Sequence, residues 1–171
     1  MERIWLANYP AGVPADIDPD IFSNVGALLE RSFKAYAERP AYAFMGHKTT
    51  YAQWEAQSTA LAAYLQSLGL NKGDRVAIMM PNVPQYPVAV AAALRAGLVV
   101  VNVNPLYTPR ELEHQLKDSG AVAIVILENF AHPLQQVIDR TAVRHVIVAN
   151  MGETLGFPLG AIVNYVVRHK K

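Results

Sequence analysis

Residues 94–121, LRAGLVVVNVNPLYTPRELEHQLKDSGA, decide how the chain is read. Val99, Val101 and Val103 alternate along an apolar segment, the two-residue period of a strand. The segment runs into a polar loop, residues 102–107. Thr108-Pro109-Arg110-Glu111 then combines a capping box with proline at the first helical position, so the loop feeds directly into a helix that Gly120 is placed to stop. A strand that empties into a helix at its carboxyl end is the geometry in which open parallel sheets build their sites.

The same rhythm extends to both sides. Residues 76–80 read as a buried strand, and residues 83–95 as an alanine-rich helix with Pro84 and Pro87 in its first turn, where a missing amide donor costs least. Residues 121–127 are continuously apolar, too short and too uniform for a half-exposed helix, and read as a central parallel strand. Asn129 is expected to cap a helix carrying Leu134, Val137 and Ile138, with a fourth strand at 145–149. The alternation implies right-handed crossovers. The expected fold is α/β: an open, mostly parallel sheet with helices on both faces, a three-layer arrangement of Rossmann or flavodoxin-like kind, preceded by an extended arm.

Prolines at 10, 14 and 19 deny helix and ladder bonds to residues 9–19 and place that arm on the surface. A helix should begin near Ser23 or Asn24, with Val25, Leu28, Leu29, Phe33 and Tyr36 at the spacing of one face, and end at Pro40. Residues 41–45 and 47–50, parted by Gly46, read as a hairpin-like pair. Thr50 to Gln53 is a second capping box, opening a helix that buries Trp54, Leu61, Leu65 and Leu68. Residues 155–171 carry Leu159, Ile162, Val163, Val166 and Val167 on one helical stripe, followed by Arg168, His169, Lys170 and Lys171. Three units result: an arm at 1–22, an α/β subdomain at 23–150, and an amphipathic helix at 151–171 whose abrupt end reads as a truncation.

With 171 residues, 52% hydrophobic and 17% charged, the chain has the material for one packed core. A net charge of +1 provides no clustered cations for phosphate neutralisation, so nucleic acid is not an expected partner. The absence of cysteine removes disulfides, thiolate metal sites and a cysteine nucleophile, and fits a cytoplasmic protein. The opening MERIWLANYP does not have the layout of a secretory signal, and no run approaches the roughly 18 apolar residues of a membrane span. Any membrane contact is therefore expected to be peripheral.

The histidines at 47, 114, 132, 145 and 169 show no metal-ligand spacing, and no Gly-x-Ser-x-Gly turn is present. Neither a GxGxxG fingerprint nor a GxxxxGK[ST] loop follows a strand. The candidates that remain are the carboxyl ends of the strands: Asn82, residues 102–107, Asn129 and Asn150. Asn82 and Asn129 read first as helix caps, whereas Asn102, Asn104 and Tyr107 stand evenly between turn chemistry and substrate proximity. An aromatic ring in a polar loop must either pack or meet a ligand. The 159–167 stripe with Arg168, Lys170 and Lys171 is the candidate membrane or dimer contact. Its alternative is packing on a following domain.

The segments WLANYPAGVPADID, TTYAQWEAQSTALAAYLQ, GDRVAIMMPNVPQYPVAVAAALRAG and LRAGLVVVNVNPLYTPRELEHQLKDSGA together resemble the amino-terminal portion of bacterial long-chain fatty acyl-CoA ligases of the adenylate-forming superfamily. The resemblance implies a parent enzyme that uses ATP and magnesium to convert a fatty acid to its acyl-adenylate, then transfers the acyl group to coenzyme A for fatty acid β-oxidation. It also implies that the remainder of the ligase chain is this segment's partner. Further implied expectations are a homodimer contact through the arm and a peripheral position on the inner face of the cytoplasmic membrane. The family's phosphate loop, adenine-binding and ribose-binding motifs and catalytic lysine map to no residue here, so the segment itself is expected to hold no cofactor and no catalytic residue. The rival reading is an independent flavodoxin-like module that binds a nucleotide or acyl ligand at the strand ends.

Overall fold

The computed structural model describes residues 2–169. After an exposed arm, the elements run α1 (Val25–Ala35), β1 (Pro40–Phe44), β2 (His47–Thr50), α2 (Tyr51–Ser67), β3 (Arg75–Met79), α3 (Gln85–Arg95), β4 (Val99–Asn102), α4 (Pro109–Ser119), β5 (Ala123–Leu127), α5 (Ala131–Gln135), β6 (His145–Ala149) and α6 (Leu159–His169). β1 and β2 form an antiparallel hairpin. The other four strands form one parallel sheet in the order β4-β3-β5-β6. Val76 stands opposite Val100 on one side and Ala123 on the other, and Ile124 stands opposite Val146.

Alternation along the strands divides the core into two layers. Val76, Ile78, Ala123, Val125 and Leu127 face α2 and α3, where the small side chains of Ala89, Ala92 and Ala93 let the helix lie close to the sheet. Ala77, Met79, Ile124 and Ile126 face Leu112 and Leu116 of α4 and Leu134 of α5. β5 is buried along its whole length, as its unbroken apolar run requires of a central strand. β4 is an edge strand, shorter than the sequence suggests, although Val103 N–H still donates to Ile78 O at 3.0 Å.

Both capping boxes form. Thr50 and Gln53 exchange bonds at the start of α2, and Thr108 and Glu111 do so at the start of α4. Glu111 accepts from the Thr108 backbone and side chain, which holds its carboxyl below the ordinary range. Gly120 ends α4 with φ 62°, a conformation that suits glycine. Asn24 caps α1 through the Ala27 N–H.

Four expectations need correction. Asn82 does not cap α3: the chain turns by backbone bonds, Val83 N–H to Pro81 O and Tyr86 N–H to Val83 O, leaving Asn82 outside and Pro84 at the cap position. Asn129 does not cap α5, because the chain leaves β5 directly into a 3-10 turn, Glu128–Phe130, that contains it. The α1 stripe is only partly buried: Phe33 is fully buried and Leu29 half-buried, while Val25, Leu28 and Tyr36 are exposed. The arm is not extended throughout; 3-10 turns occupy Ile4–Asn8 and Pro19–Ile21.

Candidate functional site

At the β4 end of the carboxyl rim, the loop after the strand is held by bonds to α3 and α4 and by one of its own. Asn102 Oδ1 accepts from the Tyr86 hydroxyl at 3.0 Å, and Asn102 O accepts from Gln115 Nε2 at 2.9 Å. Asn104 Oδ1 accepts from Leu106 N–H at 3.0 Å, an Asx turn. Tyr107 is half-buried and packs against the layer that contains Val103 and Leu112. Tyr107 packs on that layer, and both asparagines spend a side-chain oxygen on internal bonds, Asn102 with Tyr86 of α3 and Asn104 within the loop. The three candidates lie along one loop without converging on a common cavity.

At the opposite end of the rim, residues far apart in sequence come together. Gln85 Nε2 donates to Asn150 O at 2.7 Å, and Asn150 N–H donates to Glu153 Oε2 at 3.2 Å. Arg168 Nη2 reaches Asn150 Oδ1 at 3.1 Å and Glu128 Oε2 at 2.9 Å. The Glu128 carboxylate raises the Arg168 guanidinium above its ordinary value. Arg168, expected at a membrane or dimer contact, is thus turned towards the strand ends. No local spacing could reveal this network, since Gln85 and Asn150 are 65 residues apart.

Beside it lies a groove of about 400 Å³, floored by Val125 and Ile147 and walled by Leu61 of α2 and Gln85 of α3. Gln85 is only 8% exposed, yet its Oε1 has no partner; Thr154 Oγ1, also on the groove, is likewise buried without one. Val146 and Val148 of edge strand β6 are 40% and 50% exposed. A second groove of similar volume, between the hairpin and α3, is lined by Tyr42, Phe44, Trp54 and Tyr86, and burial raises the Tyr42 phenol.

The α6 stripe divides. Val163 and Val167 are half-buried and Gly160 is buried against Gly152, whereas Leu159, Ile162 and Val166 are exposed. Gly152 and Gly160 meet backbone to backbone, so that a Cβ on either would strike the other residue, and Gly152 N–H donates to Asn164 Oδ1 at 2.7 Å. Lys170 and Lys171 lie outside the described residues.

Among the described residues, no three of the histidine, aspartate and glutamate side chains approach closely enough to hold a metal ion. The rim does not fit a magnesium-bound triphosphate, which needs carboxylate oxygens and a row of free N–H donors. Its carboxylates, Glu128 and Glu153, are engaged by Arg168 and the Asn150 amide. Its asparagines are neutral, and the oxygens of Asn102, Asn104 and Asn150 already accept internal bonds.

A family profile described as AMP-binding enzyme matches residues 29–160. The whole chain is 58% identical to a long-chain-fatty-acid–CoA ligase of Yersinia pestis, and spans 31% of that protein's length. A Bacillus subtilis protein of the same name is 34% identical over 92% of this chain and 28% of its own length. Among solved structures, a long-chain-fatty-acid-CoA ligase from Archaeoglobus fulgidus superposes with TM-score 0.71 over 92% of this chain and 32% of its own, at 23% identity, a likeness of fold. These matches favour the ligase reading over an independent flavodoxin-like module, and the chain belongs to the AMP-binding enzyme family.

Proposed function

We propose that this chain is the amino-terminal scaffold of a long-chain fatty acid–CoA ligase. The observation that carries this reading is the 58% identity along the entire chain to a protein of that name, of which it spans 31%. In the whole protein, ATP and magnesium supply the phosphates and the counter-charge for forming an acyl-adenylate, and coenzyme A accepts the acyl group. The reaction would feed fatty acids into β-oxidation. What the present residues contribute is a wall. The β4 loop, through Asn102, Asn104 and Tyr107, borders the substrate region at the strand ends, and the open β6 side offers Val146, Val148 and the Gln85 groove to the remainder of the ligase chain.

The chain alone is inactive on this reading. Adenylation draws most of its rate from preorganised donors and cations around the developing charge, and at the rim Arg168 is already engaged by Glu128. A homodimer contact through the arm at 9–19 and a cytoplasmic location with peripheral contact at the inner membrane face belong to the same proposal.

The test is the reading frame that encodes this chain. Its continuation into a Thr/Ser/Gly-rich phosphate loop, with a product that forms palmitoyl-CoA from palmitate, ATP and coenzyme A, is the expected result. A frame that continues into unrelated sequence, or a longer product without thioester formation, contradicts it. The buried, unpartnered Gln85 Oε1 and Thr154 Oγ1 are what a free-standing binding module would use. Saturable binding of AMP or a fatty acid by the 171-residue chain would favour that second reading.

A further inference from the structure

Asn102, the last residue of β4, is held from both faces of the sheet. The Tyr86 hydroxyl of α3 donates to Asn102 Oδ1 at 3.0 Å, and Gln115 Nε2 of α4 donates to Asn102 O at 2.9 Å. Since α3 and α4 pack on opposite faces, the two bonds converge on the strand end from either side. Beyond it the loop has little freedom. The Leu106 and Tyr107 amides are both spent on Asn104, at 3.0 and 3.1 Å, and the box of Thr108 and Glu111 fixes where α4 starts. A loop fastened at both ends to a rigid scaffold presents its tip in one place. That tip is Leu106, which is 80% exposed.

A single exposed leucine is ordinary. Gln115 is harder to explain by stability, because its Oε1 is buried without a partner. A buried acceptor left unmet typically costs more than a neutral hydrogen bond returns, so a clamp that served stability alone would be better made by an apolar side chain of the same size. The glutamine is kept for the one bond that it makes to the strand end.

We infer that Tyr86 and Gln115 are positioning residues, which act through Asn102 to hold Leu106 against an uncharged part of a ligase substrate. The inference rests on the ligase reading, in which this loop borders the substrate region. Residues 102–107 carry no charge, so the loop offers nothing to the phosphates of ATP. It suits a chain of alkyl or amide groups, which palmitate supplies in its tail and coenzyme A in its thiol-bearing arm. When one anchor is lost, the loop spends only part of its time in the binding position, and apparent affinity falls by that fraction. The bound complex stays the same, and so does its turnover.

The experiment is steady-state kinetics of the whole protein that contains this chain, with palmitate, ATP and coenzyme A varied in turn. Tyr86→Phe and Gln115→Met should each raise one KM about three- to tenfold, either that of palmitate or that of coenzyme A, with kcat and the KM for ATP unchanged. Leu106→Ala should raise the same KM. Adding Tyr86→Phe to it should raise that KM no further, because the anchor acts through the tip. Gln115→Met also removes the unmet acceptor, so the thermal midpoint should hold or rise, which a merely structural glutamine would not allow. Wild-type KM values in both anchor variants overturn the inference. A fall in kcat alone, a rise confined to ATP, a KM effect that multiplies with that of Leu106→Ala, or a lowered midpoint in Gln115→Met overturns it as well. A wild-type protein that makes no palmitoyl-CoA overturns the ligase reading itself, whereas an active wild type with indifferent variants overturns this inference alone.

Discussion

The helical layer α1–α3 and the terminal helix α6 are each tied down by an arginine, yet they differ in how firmly they are held. Arg95 lies with its side chain 14% exposed, over the Phe33 ring at 5.0 Å. It donates to Glu30 at 2.7 Å, to the Glu55 carbonyl at 3.0 Å and to Glu55 Oε1 at 3.3 Å, and also contacts Ser58 and Thr59. Arg168 binds Glu128 and Asn150 with its side chain 54% exposed. The same functional group therefore clamps three helices in one place and rests on the surface in the other. Charged hydrogen bonds are worth most where water is excluded and least where both partners stay solvated. The comparison teaches that the first layer is locked by a buried clamp, whereas α6 is held by the Gly152–Gly160 contact, Asn164 and a half-exposed arginine, and displays an uncovered face.

The largest expected effect comes from Arg95→Met, which keeps some packing on Phe33 but strands the polar groups of α1 and α2. A loss of roughly 2–3 kcal/mol in urea unfolding is expected, on the scale of bonds to charged groups. Unchanged stability would break the contrast, since Arg95 would then be no more than a surface ion pair.

Gly152→Ala should come next. A methyl group there meets the Gly160 carbonyl and crowds Asn164, so α6 must shift, at a cost of roughly 1–2 kcal/mol on the scale of overpacking. Amide exchange sharpens the test: protection should fall in α6 and stay constant in α2 and α3. Equal loss in both would mean that α6 is part of the same cooperative unit.

Arg168→Ala should leave the urea midpoint within error, in contrast to Arg95→Met, because the Arg168 guanidinium itself is 54% exposed and screened by salt, whereas Arg95 is 14% exposed. A clear loss of stability would erase the distinction between the two clamps.

The smallest effect is a pH dependence at α4. Arg140, first, and Lys117 hold the Glu113 carboxyl at about 2, below its ordinary 4.5. A depressed folded-state value means that the contribution is complete above about 4.5 and is lost as pH falls towards about 2. Glu113→Gln should remove that acid-limb slope, and NMR titration of the Glu113 carboxyl should place its midpoint below those of unpaired glutamates. Because the partners Arg140 and Lys117 are more than half exposed, the slope should shrink in high salt.

Much of the fold was legible because its determinants are local. The runs at 76–80, 98–104, 121–127 and 145–149 mark the four strands, and the Thr50 and Thr108 boxes mark where α2 and α4 begin. Asn82 and Asn129 misled because a capping side chain competes with backbone turns, and the turns of Pro81 and Glu128 won. Of the rim, the sequence could name Asn102, Asn104, Tyr107 and Asn150 as strand-end residues. It could not show that their oxygens, or the ring in the case of Tyr107, were already engaged. The Arg95 clamp and the Gln85–Asn150–Arg168 network were hidden because their members lie on different elements and have no periodic signature. The division of the 159–167 stripe was hidden for a related reason: spacing shows that residues share an arc, not which arc faces the sheet.

The most direct test of the central claim, that this chain is a scaffold whose rim lacks the means to handle phosphates, is palmitate-dependent exchange of labelled pyrophosphate into ATP. The purified 171-residue chain, prepared from a host without its own ligase, should show no exchange above a no-protein control at any magnesium concentration. Palmitate-dependent exchange that rises with chain concentration would contradict the account and place a nucleotide site within these residues.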